Sequence, residues 1–404
     1  MPSAANSPTA KATPRAGRRI WTFLAGAQEI GLLVVIALMC LGLWLSAGTF
    51  PRKDRQPQPP GTTVQDRGDI GFALIAPGAG PREFTYANGW SYLEPEPGAF
   101  LLVREREASR FLNAENLINL LTYASFIAIM AVGMTAVIIL GGIDLSIGSV
   151  YGLAAVAGSA VLSMLDPASS VWIAVPVGVG VCMLVGAACG AINGLGTVGL
   201  GVHPFIITLG GMAVYRGVAF IISKGQTIGG LPDSYRDAIR APIWDANVVP
   251  SSVMILVGAL GAIALARTVW GRRVFAIGGN EIAARYAGVP VGIIKISVFA
   301  VAGALAGLSA ALIAGHLGGA SSDTGRGYEL DVIAAAVVGG AALSGGRGSA
   351  LGAVLGAIVI QLINNGFDLV GPRFGVDQNY RQIVIGLAIV LAVVVDQAKQ
   401  RLRR

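Results

Sequence analysis

Residues 30–49 read IGLLVVIALMCLGLWLSAGT and carry no charge. At a helical rise of about 1.5 Å per residue such a run crosses roughly 30 Å of hydrocarbon, so it predicts a membrane-spanning helix. A cleavable export signal would have a shorter apolar region, of about 7–15 residues, and a retained helix is therefore expected. Outward from it, residues 1–28 are polar and basic (Lys11, Arg15, Arg18, Arg19) and read as a cytoplasmic tail, with the first span at 29–50. Further charge-poor runs lie near 117–140, 147–165, 171–197, 204–223, 250–270, 294–316, 331–345, 349–370 and 380–396. The expected fold is all-α, a polytopic membrane protein with about ten transmembrane helices.

The composition agrees. Of the 404 residues 54% are hydrophobic and 13% charged, whereas a soluble domain carries roughly a quarter charged residues. The 57 glycines lie inside apolar runs, where they predict close helix contacts in lipid. The net charge of +7 could suggest nucleic acid. The basic residues instead gather beside apolar segments, without interleaved aromatics, and no nucleic-acid partner is expected. Cys40, Cys182 and Cys189 fall in apolar stretches, and only His203 and His316 are present, so neither a disulfide framework nor a metal site is expected.

An even number of spans puts both termini on one side. Arg267, Arg272, Arg273 and Arg285, and Lys399, Arg401, Arg403 and Arg404 in a C-terminal tail at 398–404, then share the side of the basic N-terminus, the cytoplasm. Residues 51–114 form an extracytoplasmic insertion and 115–397 the membrane domain. The insertion's opening PRKDRQPQPPG reads as disordered, while FTYA-Asn88-Gly89-WSYL predicts a β-hairpin turning at Asn-Gly.

A weak internal echo, G-G-x-x-L-S-x-G, occurs at 141–148 and 339–346. Such echoes in transporters mark broken helices around a pathway. No Gly-Lys pair occurs anywhere, so the chain lacks a P-loop. No nucleophile or metal-hydrolase spacing is present either, which argues against an enzyme. The loop between spans six and seven, RTVWGRRVFAIGGNEIAARYAGVPVGIIK, allows Asn280 to cap a short helix from Glu281 to Ala287, ended by Gly288 and Pro290. Glu281 and Arg285 suit an i,i+4 pair, while Ile282 and Tyr286 share another face. The helix reads either as a solvated connection or as a docking knob.

GGNEIAARYAGV at 278–289 resembles the coupling loop of the ribose, xylose and galactose class of bacterial ABC permeases. GMTAVIILGGIDLSIGSVYGL at 133–153 and GYELDVIAAAVVGGAALSGGRGS at 327–349 are similar to that family's two most recognisable stretches. The likeness runs from about 111 to 397 and includes the first span. It implies a multi-pass permease of the bacterial inner membrane, in contact with lipid. Two permease chains, identical or different, would form one pathway, ATP-binding subunits would dock on the coupling helices, and a periplasmic sugar-binding protein would deliver a monosaccharide. No cofactor would be bound by this chain. The coupling-loop residues would be Gly278, Gly279, Asn280, Glu281, Arg285 and Gly288. The family has only a short link after its first span, so the insertion departs from its pattern.

Asp144 lies between apolar spans, where a carboxylate is costly and often functional. Capping of the turn at Leu145 is its leading reading and a pathway contact the second, and Ser146 shares both. Asn193, Asn364 and Asn365 read as interhelical hydrogen-bonders and as candidate pathway residues. Glu329 and Asp331 suit the positive end of a helix, and Arg216 either snorkels outward or pairs with a carboxylate. The low charge suits a neutral polyol. The alternative is an ion-coupled secondary transporter, for which Asp144 would be the only carboxylate candidate.

Overall fold

The computed structural model describes residues 15–243, 246–377 and 379–401. The remainder of the expected tails, 1–14 and 402–404, lies outside them. Among the described residues seven helices are long and apolar enough to cross a membrane. They are α1 (Arg15–Ala47, apolar from Glu29), α2 (Ala114–Ile139), α4 (Val171–Leu200), α5 (Pro204–Ser223), α7 (Val249–Arg267), α10 (Val291–Leu317) and α12 (Ala350–Phe374). Of the other three expected spans, α3 (Ile147–Leu162) and the part Tyr380–Leu391 of α13 (Tyr380–Arg401) are shorter apolar stretches, and α11 (Tyr328–Val338) is a helix of 11 residues. The expected continuous span at 331–345 needs correction. Helix α11 stops at Val338 because Gly340, Gly345 and Gly346 all take positive φ, which no helix continues through.

Helix α2 is the axis of the molecule. Its apolar window is 94% buried against 11% for α1, and α7, α10, α11 and α12 pack around it. Helices α4 and α10 lie along one another with glycine at their crossing: a Cβ on Gly186 would strike the carbonyl of Gly303, and one on Gly303 that of Gly186. Lipid provides no hydrophobic drive between helices, so van der Waals contact at this close range supplies the attraction. The outward faces stay apolar, with Leu45, Ile221 and Leu184 each at least 70% exposed.

The insertion is folded. Strands β1 (Thr49–Pro57), β6 (Ala99–Ser109) and β5 (Trp90–Glu96) form one antiparallel sheet in the order β1-β6-β5. Strands β2 (Thr63–Asp66), β3 (Gly71–Ile75) and β4 (Arg82–Thr85) form a second. The expected disorder at PRKDRQPQPPG is overturned, since residues 51–57 belong to β1 and pair with β6. Pro51 and Pro57 are tolerated because β1 is an edge strand, where a missing N–H need not break a ladder. Asp54 compensates the basic residues, accepting from Arg52 at 2.8 Å and Arg106 at 2.9 Å.

The hairpin is also placed differently. Asn88 closes a short 3₁₀ turn and Gly89 follows at φ 76°, but the strands on either side, β4 and β5, belong to different sheets. The hairpin is β5–β6, turning at Pro97-Gly98. Asn-Gly supplies positive φ for a corner as readily as for a hairpin, and the aromatic cluster decided which. Phe72 stacks on Phe84 at 5.4 Å and meets Tyr92 at 4.9 Å, and Phe84 meets Trp90 at 5.0 Å, so the corner folds one sheet against the other.

Thr49 and Ser109 are direct partners across β1 and β6, so the insertion leaves and rejoins the membrane domain at one point. Replacing residues 54–104 by Asn-Gly should therefore leave a folded membrane domain. A single symmetric gel-filtration peak in detergent and an unfolding temperature within a few degrees of the full chain are expected. Aggregation of the shortened protein would show that the seam of Ala47, Phe111, Leu120 and Leu362 depends on the insertion.

Candidate functional site

Helix α8 (Val269–Gly279) is capped by Thr268, whose Oγ1 accepts from the Gly271 N–H at 3.0 Å. Helix α9 (Glu281–Tyr286) follows, with Asn280 Oδ1 accepting from the Ala283 N–H at 2.9 Å. The expected short helix is thus present, with Ala287 as its C-cap and Gly288 leaving at φ 78°. Glu281 accepts from Lys295, at the start of α10, at 2.7 Å and from Arg285 at 3.2 Å. The hydrogen-bonded Lys295 ammonium holds the Glu281 carboxyl below the usual carboxylate range, Arg285 adds to this, and partial burial opposes it. Charge therefore anchors α9 to the membrane domain and leaves Ile282 and Tyr286 outward, 70% and 90% exposed.

A cleft of about 710 Å³ opens beside α9, lined by Glu281, Arg285 and Lys295 and by Thr197 in the last turn of α4 and His203 and Pro204 at the start of α5. His203 caps α5, its Nδ1 accepting from the Phe205 N–H at 3.3 Å.

Gly278 and Gly279 lie between the spans α7 and α10, at the end of α8. Gly278 is pressed inward, and a Cβ there would collide with the Ile139 carbonyl and the Gly346 nitrogen. The Gly346 N–H donates to Ile139 O at 2.8 Å. The two echoed segments thus meet at the end of α2, with the neck of α9 wedged between them. Gly279 faces open space.

The five candidate pathway residues divide into two groups. Asp144 is 1% exposed and accepts from the Ser146 N–H at 2.8 Å and the Ser146 hydroxyl at 2.6 Å. Asn193 Nδ2 donates to Ser146 Oγ at 2.8 Å, and the Tyr215 hydroxyl donates to Asn193 Oδ1 at 3.0 Å. Thr208 accepts from the Leu145 N–H at 3.1 Å. One chain of bonds therefore ties the start of α3 to α4 and α5. Asn364 and Asn365 lie elsewhere, on α12: Asn364 donates to Gln361 at 3.2 Å, and Asn365 donates to Asn116 at 2.7 Å. Thr208, Tyr215, Asn116 and Gln361 escaped the reading of the sequence, where nothing in their spacing distinguishes them from other polar residues in spans. Among the described residues no group of His, Cys, Asp or Glu is placed to hold a metal.

The bonds to Asp144 use one oxygen, which an amide retains. Asp144→Asn should leave the unfolding temperature of the detergent-solubilised protein within a few degrees. Asp144→Leu should cost about 2–3 kcal/mol by stranding the Ser146 donors. Equal loss of stability in both variants would mean that the charge itself is required.

Residues 116–393 match the family described as branched-chain amino acid transport system / permease component. The chain is 37% identical to the ribose import permease of Bacillus subtilis over 291 residues, covering 72% of this chain and 87% of that protein. It is 36% identical to the galactose/methyl galactoside import permease of Escherichia coli over 302 residues, 72% and 88% of the two chains. Against the D-allose transport system permease of Escherichia coli it is 33% identical over 288 residues, 71% and 85%. No solved structure matches it. The family match covers α2 through most of α13 and leaves the β insertion outside it. The chain belongs to this permease family and is a permease subunit of the sugar importers powered by ATP-binding cassettes, a transporter component and not an enzyme.

Proposed function

We propose that the chain forms, with a second permease chain identical or related to it, the path by which a monosaccharide crosses the inner membrane. ATP would be consumed in a separate subunit docked on α9. The sugars for which those relatives are named, ribose, galactose and D-allose, are all neutral monosaccharides. Membership in the family implies an ATP-binding subunit and a periplasmic binding protein as partners. The chain itself works without a cofactor, and its apolar outer faces are solvated by lipid. Family membership favours this reading over ion-coupled secondary transport.

The observation that carries the docking role is the pair Ile282 and Tyr286, two large apolar side chains held outward on a helix too short to persist unless capped and braced. Exposure at such levels on an anchored, capped turn suits a surface that a partner covers. The wedge at Gly278 then offers a rigid route from that surface to the broken ends of α2 and α11. Gly279, Asn280, Glu281, Arg285 and Gly288 serve to shape and brace the knob.

Tyr286→Ala should insert normally and lose the ATP-binding subunit on co-purification, at about 1–3 kcal/mol or roughly 5- to 150-fold in affinity. Undiminished recovery of that subunit would end the assignment of α9 as the docking element. The basic flanks of α7 to α9 favour a cytoplasmic side for α9 and for both termini, with the insertion outside. Reporter fusions after residue 280 should read cytoplasmic and near residue 70 extracytoplasmic; the same side for both would overturn this topology.

A further inference from the structure

The segment between α10 and α11 enters the membrane domain without forming a helix. Ile228 and Ala320 exchange backbone hydrogen bonds at 2.8 and 3.1 Å, and beyond them Arg216 donates to the carbonyls of Ser322 at 2.7 Å and Thr324 at 3.0 Å. Arg216 stands just past the midpoint of α5, so the segment it holds, which leads into α11, lies level with the middle of that span. Irregular backbone at such depth occurs where it is enclosed by protein or lines a pathway, and half-helix N-termini there commonly face the transported solute.

Two polar groups at this helix start have no hydrogen-bond partner among the described residues. The Tyr151 hydroxyl belongs to a side chain 1% exposed, and Glu329 Oε2 is buried in the first turn of α11. Tyr151 stacks on Tyr328, the first residue of α11, at 5.6 Å and packs against Gly325. The Glu329 carboxylate lies so close to α3 that a Cβ on Gly148 would collide with it. Just before Gly148 in the chain, Asp144 and Ser146 are already engaged within the protein, with each other and with Asn193. Stranded buried polar groups are costly, and here an unpartnered hydroxyl and an unpartnered carboxylate oxygen flank the stacked rings of Tyr151 and Tyr328, a group set suited to a neutral polyol.

We propose that Tyr151 and Glu329 form a contact station for hydroxyls of the passing monosaccharide at the start of α11, with Arg216 holding the loop that builds it. The inference rests on the reading of the chain as a monosaccharide permease. A sugar hydroxyl donates to Glu329 Oε2, and a second accepts from or donates to Tyr151. The permease thereby reads hydroxyl positions as well as its binding protein does.

The test uses the complete complex, with its ATP-binding subunit and binding protein, reconstituted in proteoliposomes and supplied with labelled ribose, D-allose or galactose. Tyr151→Phe and Glu329→Gln should assemble, slow uptake about tenfold, and change the ratios of the rates among the three sugars at least threefold, since a site built to bond a hydroxyl discriminates by it. Rates equal to the parent's, or slowed by one common factor for all three sugars, would overturn the station and leave packing or a bound water as the role of the pair. Failure of both near-isosteric variants to assemble would do the same. Parent complexes that carry none of the three sugars would instead overturn the monosaccharide reading itself.

Discussion

The backbone junction at the end of α2 is the constraint on which the other arrangements depend. A helix end leaves carbonyls without partners, and in a membrane water is not there to serve them. Here the Gly346 N–H serves the Ile139 carbonyl, which brings the second echoed segment onto the first, and the space left between them admits only a glycine at 278. Helix α9 is therefore not a loop free to swing. Its N-terminal end is fastened twice, by this wedge and by Glu281 to Lys295, so a force applied to Tyr286 reaches the broken spans through close-packed backbone.

The helices around α2 hold by two means, both matched to lipid. Small residues bring backbones together, as at Gly186 and Gly303, and short polar chains cross between helices, as from Tyr215 through Asn193 and Ser146 to Asp144. That chain spends the hydrogen-bonding capacity of its members inside the protein, which makes it a brace. The neighbouring Tyr151 and Glu329 retain theirs.

The β insertion obeys water's rules and not lipid's. Its two sheets close on Phe72, Leu74 and Leu102 with an aromatic rim, and its charges pair on the surface. It joins the membrane domain where Thr49 faces Ser109, outside the segment that matches the family.

Much was legible in the residues alone. Charge-free runs such as 30–49 declare helices because backbone groups in hydrocarbon must bond within their own segment, and Asn280, Gly288 and the Glu281–Arg285 spacing declare α9 because capping and i,i+4 pairing act over a single turn. The coupling stretch and its two companions disclosed the family. Whatever depends on neighbours distant in the chain was decided by tertiary structure. PRKDRQP became a strand only because β6 lay beside it, and Asn88-Gly89 became a corner only because aromatic rings gathered behind it. The run 331–345 kept its hydropathy yet lost its helix at glycines whose φ is set by the junction. Asn193 and Asn364 look alike in the sequence, but one meets Ser146 and the other Gln361, since a side chain's role is fixed by the partner that packing brings within about 3 Å.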